Sequence, residues 1–223
     1  MISKNTLLGG KYGTKLNLNF SRTNSIEGGT SYLNDSSSHT SNPLKAVFIK
    51  DEILYFSDFN LEINKKINKK VKLNLVVAKQ KYNKDILEGK TIGEYGTISS
   101  IIAVADLSYK IKKGHTVRLE LQELISKDDP SSTNHADGDW HMLLAEYTIS
   151  PNWFFAIQDM YNYGNYDESK QIHYVNTSIG FLKGSNRFEV GYGKKRAGIF
   201  CVGGICKEVP SSNGFNLNIS SSF

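Results

Sequence analysis

Apolar and polar residues alternate along most of this chain with a period of two. In NGFNLNISSSF, Phe215, Leu217, Ile219 and Phe223 face one way and Asn216, Asn218, Ser220 and Ser222 the other. A period of two sustained over this length excludes a helix and predicts a strand with one apolar face. The same code sets Phe188, Val190 and Tyr192 against Arg187, Glu189 and Gly191, and Thr177, Ile179 and Phe181 against Asn176, Ser178 and Gly180. Upstream, Trp153, Phe155 and Ile157 follow Leu143, Ala145, Tyr147 and Ile149; Val117, Leu119 and Leu121 follow Ile101, Ala103, Ala105, Leu107 and Tyr109. Val71, Leu73, Leu75 and Val77 follow Ile53, Tyr55, Phe59, Leu61 and Ile63, and Leu16, Leu18 and Phe20 open the series. The pattern predicts about ten strands of roughly 8–12 residues, the length a tilted strand needs to cross a bilayer.

Connections alternate as well. Tight turns are predicted at 64–70, 112–115, 150–152 and 183–186. Long polar loops are predicted near 22–50, 82–94, 126–138, 163–170 and 194–212, and all four prolines fall in connections. Closing the turns sets Ile149 opposite Trp153, Phe181 opposite Phe188, and Ile63 opposite Val71 with Leu61 opposite Leu73 and Phe59 opposite Leu75. Each such pair shares the apolar face, as paired residues must. Aromatic residues gather near the short turns (Tyr109, Tyr147, Trp153, Phe181, Phe188, Phe223) and near the long loops (Tyr55, Tyr161, Tyr192, Phe215). Short turns on one side, long loops on the other and two aromatic belts predict an all-β, antiparallel transmembrane barrel. A soluble β-sandwich or lipocalin-like barrel also has alternating strands, and would turn the apolar face inward.

Composition changes this picture little. The mean hydropathy of −0.37 looks soluble, but alternating strands average apolar and polar residues together. The net charge of +5 comes from lysines in turns and loops; with no basic helix or zinc spacing, no nucleic-acid partner is expected. The first residues, MISKNTLLGGKYG, hold no signal-peptide-like apolar run. They therefore predict a piece of a longer exported protein, with 1–12 the tail of an upstream strand or turn and 1–223 one barrel domain.

Three sets of residues could carry chemistry. The inward polar face collects Asp58, Glu62, Lys72, Asp106, Lys110, Arg118, Glu120, Glu146, Arg187 and Glu189. These could select solutes by charge, or neutralise one another in an interior filled by side chains, which a ten-strand barrel favours. The loop DDPSSTNHADGDWH brings Asp128, Asp129, His135, Asp137, Asp139 and His141 close in sequence. His135, Asp137, Asp139 and His141 are candidate metal ligands, but the spacing is not that of an EF-hand. An Asp/His group above a barrel is similar to that of omptin-type outer-membrane proteases, which implies water activation by a general base; turn-forming loop composition explains the residues equally. Cys201 and Cys206 flank Gly203-Gly204, a pair suited to a two-residue primed turn. That turn would make the cysteines a non-hydrogen-bonded cross-strand pair within disulfide reach, at a hairpin tip pointing outward. No phosphate-binding glycine loop or nucleophile elbow is present, so neither a cofactor nor enzymatic activity is expected.

The tail KKRAGIFCVGGICKEVPSSNGFNLNISSSF resembles the end of a Bacteroidota outer-membrane β-barrel family of unknown function. The resemblance rests on Cys201, Val202, Gly203, Gly204, Cys206, Pro210, Ser212, Asn213, Gly214, Ser222 and Phe223. It implies a Gram-negative outer-membrane location, lipid as surroundings, and a chain forming the C-terminal part of a larger barrel. A last strand ending in Phe223 fits the signal read by the outer-membrane insertion machinery. The expected role is passive: a pore, a binding barrel or a scaffold. The alternatives are an enzyme carried on the Asp/His loop and a soluble secreted barrel that binds a small ligand.

Overall fold

The computed structural model describes residues 10–24 and 53–222. The tail 1–9, most of the first long loop and Phe223 lie outside the described residues. Ten strands form one antiparallel sheet: β1 (Thr14–Asn24), β2 (Leu54–Lys66), β3 (Val71–Asn83), β4 (Thr97–Lys112), β5 (His115–Lys127), β6 (Trp140–Ile149), β7 (Trp153–Tyr161), β8 (Asn176–Lys183), β9 (Asn186–Lys195) and β12 (Ser212–Ser220). The spatial order is the chain order, except that β12 follows β9 directly. Between them, β10 (Gly198–Val202) and β11 (Ile205–Val209) form a separate hairpin. Among the described residues no ladder joins β1 to β12, so the sheet has two open edges. No described helix is long and apolar enough to cross a membrane.

Pairing keeps every apolar set on one face. One cross-strand row runs Val71, Tyr109, Val117, Tyr147, Phe155, Ile179, Val190 and Leu217 without a polar break. The expected pairs Ile149–Trp153 and Phe181–Phe188 form. The aromatic row beside the short turns includes the Trp153 and Phe181 rings, 4.7 Å apart. Tyr192 and Phe215 meet at the same spacing toward the long loops.

Two expectations are corrected. In the β2–β3 hairpin the register is four residues from the expected one: Ile63 pairs with Leu75, Leu61 with Val77 and Phe59 with Lys79. The Asn68 side chain accepts from the Lys70 and Val71 N–H groups at 2.7 and 2.9 Å. This tight Asx turn lets β2 run on to Lys66, and a slip of four, being even, leaves every side chain on its face. Strands β2 to β5 are also longer than expected, 13–16 residues.

The second correction concerns the cysteine hairpin. Its pairing is as expected: Val202 opposes Ile205, Cys201 opposes Cys206, and the cysteines form a disulfide with Cα atoms 4.0 Å apart. Gly203 and Gly204 take φ of 58° and 77°, the left-handed values a primed turn needs. The tip does not point away from the sheet, however. It folds back along the polar face, where Phe200 and Val202 pack with Met142, Leu144, Phe154 and Ala156 into the buried core cluster. Burying these side chains outweighs the solvation a projecting tip would keep.

Candidate functional site

The polar face is the candidate site, and β6 to β9 divide it from the rest. Sheet register places Asp58, Glu62, Lys72, Asp106, Arg118, Glu120, Glu146, Arg187 and Glu189 together on this face, opposite the apolar one.

Three of these residues anchor the hairpin. Arg187, on β9 beside the 184–185 turn, donates to the carbonyl oxygens of Val202 and Gly203 at 2.9 and 3.0 Å and to Glu189 at 3.0 Å. Its guanidinium also lies 4.4 Å from the centre of the Phe154 ring. The Gly203 N–H donates to Glu146 at 2.7 Å. Glu189 is 1 % exposed and pairs with Lys207 of the hairpin as well, at 3.5 Å. Glu146, Phe154 and Arg187 all sit near the short turns, so the tip reaches that end of the sheet. Gly180 makes room for the seat: a Cβ there would lie 1.9 Å from Phe154 Cε1.

The other polar-face groups lie on β2 to β5, whereas the hydrogen bonds and ion pair that hold the hairpin come from β6 and β9. Glu62 accepts from Asn17 and Asn64, both at 2.7 Å, and Asp58 accepts from Asn60 and Gln80 at 2.8 and 3.1 Å. Arg118 donates to Asp106 at 2.7 Å and also bonds Glu120. These carboxylates are neutralised or hydrogen-bonded locally, as partly buried charges must be. Toward the short turns the balance changes. Lys66 and Lys72 stand directly opposite one another. With Lys69, Lys70 and Lys110 they line a cavity of ≈ 520 Å³ whose lining holds no carboxylate.

The Asp/His loop does not assemble a centre. His135 pairs with Asp128 at 2.9 Å, Asp137 with Arg196 at 3.4 Å, and His141 lies 3.6 Å from Glu123. Asp139 accepts from the Ser126 N–H at 2.7 Å. Asp129 accepts from Ser131 and the Thr97 N–H, and the Ser131 hydroxyl and these N–H groups hold its carboxyl below the usual range. Among the described residues no three His, Cys, Asp or Glu side chains converge as a metal site. The loop's polar groups instead tie neighbouring loops together, as in the Thr133 and Asn134 N–H bonds to Gly93 and Glu94.

The model of a family of unknown function, DUF6029, matches residues 1–223. The chain belongs to that family. No curated protein and no solved structure matches it.

The residues that sequence reasoning missed are the seat of the hairpin: Met142, Leu144, Phe154 and Ala156. Their signal is a run, HMLLAEY, in which apolar residues fall on both faces and break the alternation. A strand segment apolar on both sides needs a cover on each, and FCVGGIC is the apolar segment that supplies one.

Proposed function

We propose that this chain forms the wall of a membrane-spanning β-barrel in a Gram-negative outer membrane, acting as a passive pore or binding barrel with an inward-folded hairpin. The observation that carries the reading is the inverted distribution of burial. Leu121, Ile157, Val190 and Leu217 on the apolar face are 54, 50, 46 and 68 % exposed, whereas Glu189 and Arg187 on the polar face are 1 and 5 % exposed. Soluble monomers rarely leave an apolar band of this extent open to water. In a bilayer the same band is the solvated surface, and the aromatic rows at its two ends match the interfacial belts of such barrels.

A soluble ligand-binding barrel would use the apolar face as its interior. The hairpin occupies the opposite face, and no described segment covers the apolar one. In lipid, the backbone groups of β1 and β12 also need partners. The reading therefore requires the two open edges to be paired, with each other or with further strands. Tail residues such as Asn213 and Gly214 pair with β9 in the sheet; their likeness to the Bacteroidota barrel family is consistent with an outer-membrane location.

The test is gel migration of protein refolded in detergent or lipid. A folded membrane barrel should run differently when unboiled and boiled, and should need an amphiphile to fold. A chain that folds to a monomer in plain buffer, with unchanged migration, overturns the reading.

A further inference from the structure

From the short-turn end of the polar face we infer that the cavity lined by Lys66, Lys69, Lys70, Lys72 and Lys110 is a binding site for small, multiply charged oxyanions of the phosphate class. The inference deepens the barrel reading by naming what the lumen mouth would accept.

Three observations carry it. Lys66 and Lys72 are directly opposed cross-strand neighbours, and like charges in that position destabilise a sheet. The remaining lining, Ser108, Gly114, Thr116 and Ser150, adds hydroxyl groups and no acid. Asp106, which lines the adjoining ≈ 400 Å³ cavity with Lys66 and Lys72, is engaged by Arg118 at 2.7 Å. Among the described residues none of the five lysines has a carboxylate partner, and Lys66 lies over the Tyr12 ring at 4.9 Å. Elsewhere on this face every acid has a hydrogen-bond or ion-pair partner, so the concentration of uncompensated cations is local.

An anion bridging the lysines relieves the repulsion that the fold leaves in place. Ammonium groups on long stems are point-charge donors suited to phosphate oxygens. Rings of lysine are also how pores select anions. The source is a soluble anion rather than a lipid headgroup, because the cavity opens on the polar face while acyl chains would meet the opposite one. On the far side of that face the hairpin fills the space over β6 to β9, leaving the β1 to β5 side as the open approach to the lysines.

The test is calorimetric titration of inorganic pyrophosphate into the chain folded in alkyl-glucoside micelles, which contain no phosphate, at low salt. K66Q/K72Q/K110Q should weaken binding about tenfold or more, since three cations are removed from one site. K66R/K72R/K110R should bind within about threefold of the parent, since the charge stays. K90Q/K127Q/K170Q, changed by the same charge on the loop side, should bind like the parent. Should the first variant fail to fold, K69Q/K70Q alters turn residues alone and should weaken binding about threefold. No binding by the parent, equal loss in the loop-side variant, or tighter binding of a short-chain phosphatidylglycerol than of pyrophosphate each overturns the inference. Gel migration, read on the same samples, reports separately on the barrel.

Discussion

Leu121 and Gln122 are adjacent in sequence and point to opposite faces, which makes them a matched pair for testing which face meets lipid. Leu121 is the central residue of β5, with six residues on either side. At about 3.3 Å per residue and a tilt near 45°, thirteen residues rise roughly 30 Å, enough to cover an apolar band of about 25 Å. Leu121 therefore falls near the midplane, flanked by Ala105 and Leu143 and 54 % exposed. Arg there should cost about 2–4 kcal/mol in lipid, or roughly 30- to 900-fold in the folding equilibrium. Gln122 sits on the polar face beside Val104 and Met142 and donates to Glu120. Arg at that position gains a carboxylate and should cost under about 1 kcal/mol. The assay is urea unfolding from lipid vesicles, followed by tryptophan fluorescence. Equal losses for L121R and Q122R, or a larger loss for Q122R, would refute the facing assigned to every strand through the shared register. Ser178 would be a poor lumen control, because it is 8 % exposed in a row that borders the hairpin seat.

Phe154→Ala should destabilise the hairpin seat by about 3–5 kcal/mol and raise protease sensitivity within 198–209, measured by limited proteolysis; an unchanged cleavage pattern contradicts the packing. Arg187→Ala leaves the buried Glu189 with Lys207 as its ion partner and should cost about 3–5 kcal/mol by the same unfolding titration. C201S/C206S should lose about 2 kcal/mol at most, because the closed loop is short; intact mass after alkylation of the unreduced parent should show no alkylated cysteine. Asp85 provides a pH prediction outside the strands. Burial raises its pKa, but the N–H groups of Tyr95, Gly96 and Gly93 outweigh that and hold it below the usual carboxylate range. Its stabilisation is therefore complete above the unfolded carboxyl pKa near 4 and lost as pH falls through the lower folded value. Hydrogen exchange across 84–96 should rise at acidic pH in the parent and already be raised at neutral pH in D85N.

Strand identity and facing were legible because a period of two ties each residue to a face whatever the exact pairing. That is why a four-residue slip at β2–β3 left Phe59, Leu61 and Ile63 on the expected side. Turn detail was less legible: Asn68 tightens its turn through two N–H bonds that composition alone cannot rank against a longer loop. The disulfide followed from local geometry, since Gly203-Gly204 fixes which residues oppose. Where the hairpin goes depends on Phe154, Arg187 and Gly180, which come together from β7, β8 and β9 and share no sequence pattern. The Asp/His loop shows the converse. Residues close in sequence looked like a centre, yet each is drawn to a different neighbour by backbone turns.

The two tryptophans measure the central claim, since they sit on opposite faces. Trp153 lies on the apolar face beside a short turn and is 42 % exposed, while Trp140 is 8 % exposed on the polar face, under Arg196 at 4.2 Å. In vesicles of brominated lipid, W140F, which keeps Trp153, should be quenched strongly, most by bromines near the headgroup, and W153F should be quenched little. Comparable quenching of the two, or stronger quenching of Trp140, would contradict a barrel whose apolar face meets the membrane.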